Sequence, residues 1–123
     1  VYIVDNDTTV NELKDLVRQF FEERNWDQFH NPKDLAIGII TEAGELLDIF
    51  RFKKDDEITQ MMNRPEKRTV IGEELADVLY FVLRFVQMNN FDLLDELEKK
   101  IEKNTERYPV KKSRDSNKKY NEF

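Results

Sequence analysis

The chain has 123 residues, no cysteine, 37% charged side chains and a formal net charge of −6, which suits one domain able to bury roughly two-thirds of its unfolded surface and excludes a disulfide framework or thiolate chemistry. Residues 110–123 carry five Lys/Arg and two Asp/Glu, net +3, leaving −9 on residues 1–109, so the body is a poor partner for nucleic acid, whose affinity rests on phosphate neutralisation. No apolar run approaches the roughly 20 residues that span a bilayer, and the apolar start Val1, Tyr2, Ile3, Val4 is no signal peptide. The expectation is a cytoplasmic, soluble, all-α protein with no membrane partner, its domain over 1–109 and a polar basic tail over 110–123.

Thr9 with Glu12 fits a capping box, and Val10, Leu13, Val17, Phe20 and Phe21 then recur at helical spacing, which predicts a helix over about 9–24. Residues 24–32 hold Trp26, Phe29 and the single histidine, His30, without a helical period. This is a loop in which Trp26 and Phe29 suit a plug for the end of a bundle. Asn31 as N-cap and Pro32 in the first turn start a second helix, expected to reach about Lys53. Residues 54–63 read as a flexible connection with one turn near 58–62. Pro65 opens a third helix over about 66–89, and Asn89 and Asn90 break it. A fourth follows over about 91–107, with Leu94, Leu97, Ile101 and Tyr108 as its core stripe and Pro109 as its end. The tail through Tyr120 offers little to bury and is expected to order only by docking.

The second and third helices carry matching acid pairs, Glu42 with Glu45 and Glu74 with Asp77. Wound at about 100° per residue, each helix places its first acid inside a wide apolar arc and its second at the arc's edge, about 60° back. An unpaired carboxylate taken out of water loses several kcal/mol, roughly. Four acids in two equivalent pairs are best explained by a shared hard cation, Mg²⁺ before Mn²⁺ or Ca²⁺. Glu73 falls outside its arc beside Arg84 and reads as a solvated acid. Gly38 lies one turn before Glu42 on the acids' own face, where a glycine costs about 1 kcal/mol against alanine. Either another helix packs closely there or the space is left for a ligand. The arcs are wider than one side of a small bundle requires, so part of that surface is expected to be buried in a second copy.

Such a carboxylate group makes a nucleophile from water rather than from protein atoms, and the cation neutralises charge that builds on phosphoryl transfer. The Glu-x-x-His pairs of di-iron bundles and the glycine-rich Walker loop are both missing. Phosphate, if held, is held through metal and through Lys53, Lys100, Asn104 and Arg107, the last three forming a cationic edge beside the fourth helix's stripe.

Glu42-x-x-Glu45, followed after 28 residues by Glu74-x-x-Asp77, resembles the signature of the MazG-type all-α nucleoside triphosphate pyrophosphohydrolases. The blocks from Glu23 to Pro32, Glu42 to Leu46, Phe50 to Lys53, Glu73 to Leu79 and Asn104 to Val110 resemble the dCTP pyrophosphatase branch, and the likeness runs from about residue 13 to Tyr120. The resemblance implies a four-helix bundle assembling as a homodimer or a dimer of dimers (homotetramer). It also implies hydrolysis of a deoxynucleoside triphosphate between the α and β phosphates, with Mg²⁺ on Glu42, Glu45, Glu74 and Asp77 and Mn²⁺ as a substitute. Carried onto matching positions, Trp26 and His30 would line the base and sugar pocket, and Lys100, Asn104, Arg107 and Tyr108 would contact the phosphates or close the site. The branch carries tryptophan where this chain has Phe52 and tyrosine where it has Phe81. Phe52 keeps a face that can stack on a base; Phe81 lacks a hydroxyl that could read one. The expected substrate is dCTP or a modified cytosine nucleotide, in house-cleaning of the nucleotide pool. The alternatives are dUTP, dATP or a damaged purine nucleotide, or a non-enzymatic helical interaction module with a structural cation.

Overall fold

A computed structural model describes residues 4–118 and 120–122; the apolar start at residues 1–3 lies outside them. Thr9 accepts a hydrogen bond from the Glu12 amide while the Glu12 carboxylate receives the Thr9 amide, and this capping box starts α1, Val10–Glu23. Asn25, at φ 52°, turns the chain into a 3-10 turn over Asp27–Phe29. The Asn31 side chain accepts from the Asp34 amide at 2.8 Å, and with Pro32 in the first turn it opens α2, Pro32–Phe50. That helix stops three residues short of the expected Lys53, because Arg51 turns to extended ψ and Phe52 sits at φ 63°.

The expected flexible connection is in fact a helix, α3, Asp55–Met62. Its first turn holds Asp55, Asp56 and Glu57, which favour the positive end of the peptide dipoles, and Met61 anchors it in the core. Pro65 leads α4, Pro65–Met88, and Asn90 in the left-handed region follows it. α5, Leu93–Arg107, is capped by Asp92 accepting from the Asp95 amide at 2.9 Å. In the tail, Val110–Ser113 forms one further turn of helix, α6. The described residues contain helices and turns and no strand, so the protein is all-α.

The chain divides into two compact units, Val1–Asn90 and Phe91–Phe123. In the first, α4 is the central element and packs on α2, α1 and α3. The core draws Val17 and Phe21 from α1, Leu35 from α2, Met61 from α3, and Ile71, Leu83 and Val86 from α4. In the second, α5 buries no residue. Its expected core stripe, Leu94, Leu97 and Ile101, is exposed: periodicity tells which residues share a face, not whether anything covers it. The same holds for part of α2 and α4, where Ile40 (72% exposed), Leu47, Leu75 and Leu79 remain in solvent. Among the described residues no helix is long and apolar enough to cross a membrane.

Candidate active site

Helical spacing puts Glu42 and Glu45 one turn apart on α2, and the packing of α2 on α4 brings Glu74 to them. One carboxylate oxygen from each of Glu42, Glu45 and Glu74 lies within 4.8 Å of the others. Glu42 Oε2 and Glu74 Oε2 are shielded from solvent and have no hydrogen-bond partner. The Glu42 carboxyl is pushed up to about 7, first by its hydrogen bond with Glu45, then by burial, then by the charges of Glu45, Asp77 and Glu74. Glu74 is raised too, chiefly by burial and then by Glu45. Asp77 is exposed one turn beyond Glu74 and acts on both acids through its charge. Glu73 stands exposed outside this group, as its wheel position indicates. Two orphaned, buried carboxylate oxygens beside a third acid fit an oxygen-only cation site.

Gly38 continues the same face of α2. A Cβ there would meet the Phe81 ring, 2.6 Å from Cδ1 and Cε1 and 2.9 Å from Cγ. Of the two explanations open for this glycine, close helix packing holds: the ring lies directly on the α2 backbone. Phe81 is thereby fixed at the end of the seam that carries the acids.

α4 has a second buried side, facing α1. Tyr80 stacks on Phe21 with centroids 5.1 Å apart and meets Phe20 edge-on, and Trp26 packs edge-on against both phenylalanines. His30 stands edge-on to Phe21 at 4.9 Å. Its Nδ1 donates to the Trp26 carbonyl at 2.9 Å, since a carbonyl only accepts, and Nε2 is left for other contacts. Trp26 therefore does cover this end of the helices, whereas Phe29 points into solvent and plugs nothing.

Arg84 corrects a wheel reading. Expected on the solvated side with Glu73, it is 1% exposed. Its guanidinium pairs with Asp27 in the Trp26 loop, donates to Gln87, and lies 4.4 Å above the Phe21 ring. The apolar arc marked one buried side of α4 and missed the other; the available signal was an arginine set between Leu83 and Phe85.

Phe52 is 89% exposed with the Arg51 guanidinium 4.8 Å from its ring. Lys53 lines a cleft between α2, α3 and α4. Lys100, Asn104 and Arg107 follow one another at helical spacing along α5, and the Tyr108 amide closes it on the Asn104 carbonyl at 2.8 Å. Of the expected site residues, the first unit brings together Glu42, Glu45 and Glu74 with Asp77 beside them, Phe81 on Gly38, and Trp26 with His30. Lys100, Asn104, Arg107 and Tyr108 belong to the second unit.

The MazG-like family model matches residues 37–123. The dCTP pyrophosphatase 1 of Rattus norvegicus is 35% identical over 115 residues, 94% of this chain and 68% of that protein. The dCTP pyrophosphatase 1 of Homo sapiens is 34% identical with the same coverage. The crystal structure of a pyrophosphatase from Archaeoglobus fulgidus is similar at a TM-score of 0.76 and 33% identity, covering 88% of this chain and 99% of that one.

Proposed function

Since this chain belongs to the MazG-like family and is a nucleoside triphosphate pyrophosphatase, we propose that it cleaves dCTP or a modified cytosine deoxynucleotide to the monophosphate and pyrophosphate, with Mg²⁺, as cytoplasmic house-cleaning of the nucleotide pool. The observation that carries the metal-dependent reading is the pair of buried, partnerless oxygens, Glu42 Oε2 and Glu74 Oε2. Glu42, Glu45 and Glu74, with Asp77 at the exposed edge, would hold the cation. When bound, it would neutralise phosphate charge and acidify the attacking water. Mn²⁺ would substitute, since both ions accept oxygen-only sites.

The remaining work falls to the chain's own groups. Glu42 must give up the proton that its neighbours favour before it can act as a ligand, so metal affinity falls as pH drops through about 7. The His30 Nε2, free of the Trp26 carbonyl, faces sugar or base, and the Trp26 and Phe52 rings offer stacking surfaces. Lys100, Asn104, Arg107 and Tyr108 would contact the phosphates or close the site. Residues 1–109 form the working domain, with 110–123 as a basic appendage. The exposed flank of Ile40, Leu47, Leu75 and Leu79 is covered by a second copy, giving a homodimer or homotetramer. A different base is the second reading, and Phe81 favours it: its ring is committed to Gly38 and has no hydroxyl to read an exocyclic group.

The test is product identity across a panel of cytosine, uracil, adenine and damaged-purine nucleotides with Mg²⁺. Monophosphate plus pyrophosphate from a cytosine nucleotide, lost in Glu45→Gln with the fold intact, is expected. Diphosphate plus phosphate, or full turnover in Glu45→Gln, would overturn it.

A further inference from the structure

The α2–α4 seam runs antiparallel in a fixed register. Gly38 meets Phe81, Glu45 meets Glu74, and Ile49 and Val70 line one cleft. Each step forward on α2 is matched by an equal step back on α4. Ile49 follows Glu45 by four residues and Val70 precedes Glu74 by four, so the cleft opens about one helical turn, roughly 6 Å along the axis, beyond the acids and on the same stripe.

The cleft holds about 510 Å³ and is bordered by Lys53 past the end of α2 and by Arg64 and Lys67 at the start of α4. Among the described residues no hydrogen bond or ion pair is made by the side chains of these three. Two acids also border it, and one of them, Asp48, already pairs with Arg51 at 3.6 Å, leaving Glu57 against three cations. The N-terminus of α4 has no side-chain cap and adds its partial positive charge at the same end. Three cations with no side-chain partner, outnumbering the acids at the border of an open cleft, suit a multivalent anion.

We propose that this cleft is a pyrophosphate-binding subsite, with Arg64 and Lys67 joining Lys53 to hold the β and γ phosphates of the substrate and then the released product. This rests on the reading of the acid group as the reaction centre. Water adds to the α-phosphorus, the bridging P–O bond breaks with its electron pair passing to pyrophosphate, and the water's proton goes to solvent. The new charge on the leaving group thus appears one turn from three cations.

Inorganic pyrophosphate is the probe, titrated calorimetrically into the full chain at low ionic strength with EDTA present, so that uncompensated acids repel it from the metal site. Wild type and Glu45→Gln should bind it alike, and Arg64→Gln/Lys67→Gln should bind at least tenfold more weakly. Both substituted side chains are exposed, so circular dichroism and melting temperature should not change. No binding to wild type, equal binding to the double variant, or equal affinity for inorganic phosphate would overturn the proposal. Pyrophosphate binding with no nucleotide turnover would leave the cleft standing and sink the reading of the acids; turnover without such binding would do the reverse.

Discussion

Breaking the Arg84–Asp27 pair from its two ends should give unequal results. Asp27→Ala leaves a guanidinium that is 1% exposed with only Gln87 and the face of Phe21 for company. Removing one partner of a buried pair costs about 3–5 kcal/mol. The remaining bond to Gln87 places this case at about 3, a factor of more than 100 in the folded-to-unfolded ratio. Arg84→Met removes the buried charge and keeps the side-chain volume, while Asp27, half-exposed in the loop, returns to water. Its cost is the lost ion contact and the cation–π contact, offset by the recovered desolvation, and should stay within about 1 kcal/mol. Urea denaturation at pH 7.5 measures both, and at roughly 4 °C per kcal/mol the melting temperatures should differ by nearly 10 °C. If Asp27→Ala costs less than about 1 kcal/mol, or Arg84→Met costs more than Asp27→Ala, the buried-charge account is wrong.

Gly38→Ala should destabilise by about 1–2 kcal/mol, since its methyl meets the Phe81 ring at 2.6 Å and overpacking outweighs the roughly 1 kcal/mol of helix propensity gained. Gly44→Ala, with nothing within 4 Å of its Cβ, should instead stabilise by up to about 1 kcal/mol, and chemical denaturation of both variants checks the pair. The raised Glu42 carboxyl sets a pH dependence: with a folded value of about 7 against 4.5 unfolded, the folded state holds the extra proton, so this group's stabilisation is full below 4.5 and is lost as pH rises to about 7. In EDTA, the stability of wild type relative to Glu42→Gln should fall over that window; a flat difference would contradict the environment assigned to Glu42. Phe52→Gly should leave the melting temperature within a few degrees, because the ring is 89% exposed at φ 63° and glycine adopts that backbone without strain. It should raise KM with kcat preserved, and an unchanged KM would remove Phe52 from the substrate's path.

The sequence by itself determined the elements whose causes are local. The Thr9–Glu12 box, the Asn31–Pro32 start and the Pro65 start are read from neighbouring residues, as is the placing of Glu42 with Glu45, because caps and the 3.6-residue period act within one turn. The short helix α3 escaped because ten largely polar residues give one buried anchor, Met61, too few to mark a period. What only the tertiary structure decided depends on neighbours distant in the chain. A wheel shows one apolar arc on α4, yet Tyr80, Leu83 and Arg84 are covered because α1 lies on its other side, and an arginine can be buried there only because Asp27 arrives from a loop 57 residues earlier. Gly38 allowed a ligand or a packed helix until the Phe81 ring was found on it. The stripes of α2 and α5 were legible as faces and illegible as interfaces, for amphipathicity reports where apolar atoms lie and burial requires a second surface to meet them.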